Sequence, residues 1–337
     1  MSPSAELPLR PPRRVTIAGA NGYMGSRLAE RLLTRGHSVT ALVRSSAQRV
    51  PAGCTVIRRQ ALVRKRIDIL RQCGWGALLA KRIQLAEVSI CLEDLGQGDP
   101  LLLLHGFPAT RYLWSHVAPL LVEAGFRALI PDLVGYGDSS APPGVRIDMA
   151  SQAAWLLQLL ERLEVMRPVV IAHDVGSAAA QLMVASAPAH IRGLAVLDGV
   201  YAAEWAMDAI AGIQTWDPVE AHRLFPVLAR RLGKSAALRD MLSAYRGEQG
   251  GSQLIRAARD LDPRQTAQIS ARLRSSGVPA IVLWGERDEF LPCAAVGEPL
   301  AQLLSAPLIK LPGAHFTPLD CPVEVAQALH RFLASLP

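Results

Sequence analysis

The 337-residue sequence predicts an α/β protein: a mostly parallel, doubly wound sheet with a helical insert, preceded by a partial βαβ unit. Three observations predict it. The segments "DPLLLLHG", "FRALIPDL", "PVVIAHD", "IRGLAVLDG", "PAIVLWGERD" and "APLIKLPGA" are short apolar runs, each ending at Gly, Pro, His or Asp. Runs without polar alternation suit strands covered by helices on both faces. Half of all residues are hydrophobic, enough for a large core, and a separate strand–turn–helix–strand pattern opens the chain.

That opening pattern is "VTIAGANGYMGSRLAERLLTRGHSVTALVRSS", from Val15. A β-branched strand runs into Gly19, Gly22 and Gly25, whose GxxGxxG spacing allows a tight turn and close approach of phosphate to a helix N-terminus. Over about residues 14–60 this resembles the start of extended or atypical short-chain dehydrogenases, a Rossmann-like unit. The resemblance implies that Arg44, ending the second strand, would suit the 2′-phosphate of NADP. Arg59 and Gln60 stand where that family usually carries glycine and aspartate, and no Tyr-x-x-x-Lys pair follows. The expected division is therefore residues 1–84, a partial Rossmann-like segment with a basic linker, and residues 85–337, a second domain with an insert at about 199–271.

In the second domain the decisive stretch is "AHDVG", residues 172–176. A strand-to-helix turn this tight needs small residues two positions before and after its centre, and Ala172 and Gly176 place Asp174 there. "HGFPAT" from His105 precedes it; "GERDEF", with Asp288, and "GAHFTPLD", with His315, follow. Oxyanion loop, nucleophile, acid, histidine is the chain order of the α/β-hydrolase fold, and residues 85–337 resemble that superfamily. His105 and Asp132 read as structural, and Ser177 lies past the elbow.

The H-D-x-G elbow resembles the branch of epoxide hydrolases and haloalkane dehalogenases. That resemblance implies Asp174 as nucleophile on an sp³ carbon, His315 as base for the water that hydrolyses the resulting ester, and Asp288 as its acid partner. Asp198, at the end of "GLAVLDG", is the alternative acid. Backbone N–H groups of Phe107 and Val175 form the expected oxyanion hole. Val175 replaces the tryptophan both families usually carry and the arginine of fluoroacetate dehalogenases. Tyr245, in "MLSAYRG", and Tyr201 are the expected lid donors to an epoxide oxygen; Trp205 and Trp216 could line the pocket or face a halide.

Hydrolysis needs no cofactor or metal, and NADP is an expectation for the N-terminal segment alone. An epoxide is the first expectation, with a haloalkane or haloacid, an ester or lactone, or an NADP-binding regulatory role as alternatives. The net charge of +7 is spread among apolar residues without a basic stripe, which argues against nucleic acid. Five cysteines without metal or disulfide spacing suit a reducing compartment. With no signal-like or bilayer-length apolar run, the expectation is a cytoplasmic monomer or homodimer that takes a small hydrophobic substrate and water.

Overall fold

The computed structural model describes residues 14–18, 30–34, 38–43, 52, 54–58, 80–202, 204–217, 241–245 and 247–337. The chain divides into two compact units, Met1–Gly74 and Trp75–Pro337. In the first, β1 (Arg14–Ala18), β2 (Ser38–Val43) and β3 (Thr55–Arg58) pair in parallel in the order β1-β2-β3, with residues 30–34 helical. β-branched residues recur along all three, as pleated backbone favours. Gly19, Gly22, Gly25 and Arg44 lie outside the described residues.

The second unit holds eight strands: β4 (Lys81–Leu85), β5 (Val88–Gly96), β6 (Pro100–Leu104), β7 (Arg127–Pro131), β8 (Val169–His173), β9 (Gly193–Leu197), β10 (Ala280–Gly285) and β11 (Leu308–Leu311). Their order is β11-β10-β9-β8-β6-β7-β5-β4. The pairs from β7 through β11 are parallel; β4 and β5 form an antiparallel hairpin that adds to β7. The apolar runs of the sequence are β6 to β11, and β8, β9 and β10 are buried along their whole length. An 84/85 boundary cuts through β4, and the division lies earlier, at Gly74 and Trp75. The physical reason is that β4 is an edge strand whose Lys81, Arg82 and Gln84 are exposed, so it reads as a polar linker.

Helices α1 (Ala118–Glu123), α2 (Met149–Arg162), α3 (Gly176–Ser186), α4 (Met207–Gln214), α5 (Gly247–Arg259), α6 (Arg264–Ala267), α7 (Ser270–Ser275), α8 (Gly297–Leu304), α9 (Thr317–Asp320) and α10 (Pro322–Ser335) fill the connections. Asp148 caps α2 by accepting the Ser151 N–H at 2.9 Å. α4 to α7 belong to the insert between β9 and β10. Its described part is tied to the β7–α2 loop: Arg256 donates to the carbonyls of Ala141, Pro142 and Val145, and Asp260 accepts the Ile147 N–H at 2.7 Å.

α3 starts with Gly176, Ser177, Ala178, Ala179 and Ala180, all buried, because it lies against the sheet with no room for bulk. A Cβ on Gly176 would stand 2.2 Å from the backbone oxygen of His105. Since that obstacle is main chain, Gly176→Ala is expected to destabilise the domain by about 1–3 kcal/mol, read as a lower denaturation midpoint; an unchanged midpoint would mean that the two segments can separate freely.

Candidate active site

β8 delivers the site. After His173 the chain reverses into α3 through Asp174, whose φ of 51° is left-handed, a conformation that a non-glycine residue holds only when its surroundings enforce it. The turn is closed by Ser177 N–H on the Asp174 carbonyl at 2.9 Å and Ala178 N–H on that of Val175 at 3.0 Å. The carboxylate then projects above the sheet, nearly buried. Its Oδ1 accepts the Phe107 N–H at 2.7 Å, and the Val175 N–H, next in sequence, favours its ionised form. Gly106 permits this approach, since a Cβ there would meet Asp174 Oδ1 at 2.3 Å.

The loop after β11 brings in His315, with Nε2 3.6 Å from Asp174 Oδ2 and Nδ1 2.9 Å from Asp288 Oδ2. Asp288, on the turn after β10, has its other oxygen occupied by the N–H groups of Phe290 and Leu291, at 2.9 and 3.0 Å. A carboxylate, an imidazole and a second carboxylate thus stand in line at the carboxyl ends of parallel strands, with the Phe107 N–H donating to the first.

A family model described as alpha/beta hydrolase fold matches residues 99–222, and one described as the NAD dependent epimerase/dehydratase family matches residues 15–74. Haloalkane dehalogenase 2 of Mycobacterium tuberculosis (strain H37Rv) is 27% identical over 256 residues, covering 70% of this chain and 88% of its own. Bifunctional epoxide hydrolase 2 of Mus musculus is 35% identical over 106 residues, 31% of this chain and 19% of that protein. The crystal structure of an alpha/beta hydrolase fold protein from Burkholderia ambifaria superposes with a TM-score of 0.66 at 24% identity, over 76% of this chain and 98% of that one. The chain is an α/β-fold hydrolase.

Over the Asp174 and His315 side chains of the hydrolase lies a cavity of about 80 Å³ roofed by Phe107, Trp205, Ile210, Ile213, Phe290 and Phe316. A larger, open depression beside Pro143, Arg146 and Arg256 contains neither Asp174 nor His315. The lid expectations need correction. Tyr245 is fully buried and its hydroxyl donates to the Ala109 carbonyl at 3.1 Å; it clamps the insert and does not line the cavity. Tyr201 is not a lining residue either; its carbonyl accepts the Glu204 N–H at 2.8 Å in a tight local turn. Trp205 lines the cavity with its ring while its N–H is spent on Thr266 Oγ1 at 2.9 Å, and Trp216 lies outside the lining. Residue type and approximate position suggested these donors, but the direction of a side chain within an irregular insert has no sequence signature.

Of the two acids, Asp288 meets His315. Asp198 instead accepts the Gly285 N–H at 2.6 Å and the Thr317 hydroxyl, bracketing the β10 end against α9. Ser177 Oγ accepts the Val200 N–H at 3.0 Å, a structural role. His105 donates from Nδ1 to the Gly106 carbonyl and accepts the Leu133 N–H on Nε2, and Asp132 holds Arg111 and its own loop. The residues that sequence reasoning missed are Ile210, Ile213, Phe316 and above all Phe290 in the roof, and His173, which faces His315. In the N-terminal unit β1 pairs only with β2 among the described strands. A dinucleotide crevice opens where strand order reverses beside such a strand, so the described strands would form one side of a site for NADP. Among the described residues no helix is long and apolar enough to cross a membrane.

Burial alone would raise the Asp174 carboxyl, but the charge of His315, 3.6 Å away, and the Val175 N–H hold it below its ordinary value. Burial opposes charge on His315 as well, yet Asp174 and Asp288 raise it to about 10, so the resting pair is carboxylate and imidazolium. Burial pushes Asp198 the other way, to about 8, helped by Asp288 and opposed by His315 and Thr317.

Two predictions follow from these placements. Because the folded Asp198 binds its proton more tightly than the unfolded chain, its stabilising contribution is complete below the ordinary carboxylate pKa near ~4 and fades as pH rises through about 8. Asp198→Asn keeps both hydrogen bonds, with the one to Thr317 reversed, and is expected to flatten the fall in melting temperature between these limits; an unaltered slope would assign it to other groups. Tyr245→Phe should cost about 1 kcal/mol of stability and leave turnover unchanged, whereas a loss near 10²-fold would return the phenol to the catalytic step.

Proposed function

We propose that the hydrolase opens small, neutral, apolar epoxides through a covalent ester on Asp174. The observation that carries this reading is the ionised Asp174 at a strained elbow, with Oδ1 held by the Phe107 N–H and Oδ2 facing both His315 and the cavity. A carboxylate needs no deprotonation before it attacks carbon. Attack on an ester carbonyl would instead produce a mixed anhydride, higher in energy than the ester consumed.

Asp174 Oδ2 bonds to the ring carbon, the carbon–oxygen bond breaks, and the released alkoxide takes the proton of the His315 imidazolium. Ester formation also erases one of the two carboxylates that held that proton, so neutral His315 becomes the stable form. It then takes a proton from water as the hydroxide adds to the Asp174 carbonyl carbon, and the N–H groups of Phe107 and Val175 receive the developing oxyanion. Collapse expels the diol, protonated by the new carboxylic acid, and restores carboxylate and imidazolium. Asp288 orients His315 throughout.

The apolar roof and the buried Val175 side chain disfavour a haloacid, whose own carboxylate would go unpaired. A haloalkane is the second reading, favoured by the dehalogenase relatives that align along 88% of their length; halide would leave without a proton and His315 would release its own to solvent. For the N-terminal unit we propose no more than a weak NADP contact, without a part in hydrolysis. Free Cys91, Cys293 and Cys321 suit work in the cytoplasm.

A panel of terminal epoxides and haloalkanes, read for diol and halide, is expected to favour diol. Repeated turnover in ¹⁸O-water should place label in the Asp174 carboxylate, and Asp174→Ala should lose at least ~10³-fold in kcat. Turnover without label in Asp174 would sink the nucleophile assignment.

A further inference from the structure

β8 ends on a histidine that the chemistry above leaves without a role. His173 is fully buried, and its Nε2 is 2.7 Å from the backbone carbonyl of His315, so Nε2 carries the hydrogen and donates it. The two imidazoles lie 4.9 Å apart, and the His173 ring also stacks on Phe316 at 5.6 Å and 28°. Its other nitrogen, Nδ1, is buried without a hydrogen-bond partner. A leucine or phenylalanine would end a buried parallel strand without that loss, so the bond from Nε2 is what the residue contributes.

The acceptor of that bond is the main chain of the residue that must reach two carboxylates at once. His315 stands in a loop between β11 and α9, outside any helix or strand. His173 and Asp174 are consecutive, so a single rigid stretch of backbone carries both the attacking carboxylate and the group that holds the base loop. Burial first, then the charge of His315, pulls His173 down to about 4, against the opposing pull of Asp174, the His315 carbonyl and Asp288. Neutrality follows, and with it a single proton in a fixed place, without a second cation beside His315.

We propose that His173 is a positioning residue for ester hydrolysis: its Nε2–H fixes the main chain of His315, and thereby holds the imidazole in register with Asp174 and Asp288. This rests on the Asp174 and His315 roles proposed above. Gln extends an N–H to about the place of Nε2, Met fills the same length without a donor, and Phe keeps a ring without one.

The test is rapid-quench kinetics of wild type, His173→Gln, His173→Met and His173→Phe with styrene oxide and bromobutane, following the adduct on the Asp174 peptide by mass. For whichever of the Met and Phe variants melts cooperatively like wild type, decay of the ester should slow by about 10–100-fold, the scale of a misplacement near 1 Å, so that adduct accumulates. His173→Gln should recover most of the wild-type decay rate. Unchanged decay in the variants lacking a donor would overturn the proposal, as would equal slowing in Gln, which would assign the effect to packing. Wild-type turnover without any adduct on Asp174 would take down the nucleophile reading itself, and this proposal with it.

Discussion

A carboxylate roofed by aromatic rings loses its charge unless a cation is buried with it, because the interior solvates neither alone. In this hydrolase the buried pair is Asp174 and His315, and much of the second unit serves it. The elbow accepts a left-handed aspartate, Gly106 and Gly176 remove the side chains that would collide there, and Asp288 balances the imidazolium from behind. Each device is costly by itself. Together they keep one proton between two carboxylates, where loss of either charge changes which partner holds it.

What was legible in the sequence follows from what is local. Ala172 and Gly176 mark the elbow because backbone sterics act over a few residues, and the strands β6 to β10 stand out because burial on both faces leaves no polar alternation. The order of Asp174, Asp288 and His315 was readable for the same reason, each closing an apolar run. β4 was lost in the linker because an edge strand carries the charges that protect it. Tyr245 and Trp205 bear the right chemical groups, but Ala109 and Thr266 engage them. No spacing rule identifies a hydrogen-bond partner more than a hundred residues away or across an irregular insert.

The insert is held by backbone carbonyls more than by side-chain pairs. Arg256 collects three of them from the β7–α2 loop, Tyr245 takes that of Ala109, and Gln253 that of Gly137. Carbonyl acceptors survive substitution of the residues that bear them. The roof can therefore change its lining at Ile210 or Ile213 while these anchors stay in place, which separates the choice of substrate from the attachment of the lid.

Asp288 carries two obligations that are easily mistaken for one. Oδ2 faces His315, while Oδ1 gathers the N–H groups of Phe290 and Leu291, and Phe290 is 38% exposed at the cavity with its ring 5.3 Å from that of His315. The carboxylate that braces His315 thus also shapes the turn that brings Phe290 to the cavity. Were that carboxylate at the end of β9, where Asp198 stands, Phe290 would be free of it; its place after β10 couples the charge beside His315 to the lining of the cavity.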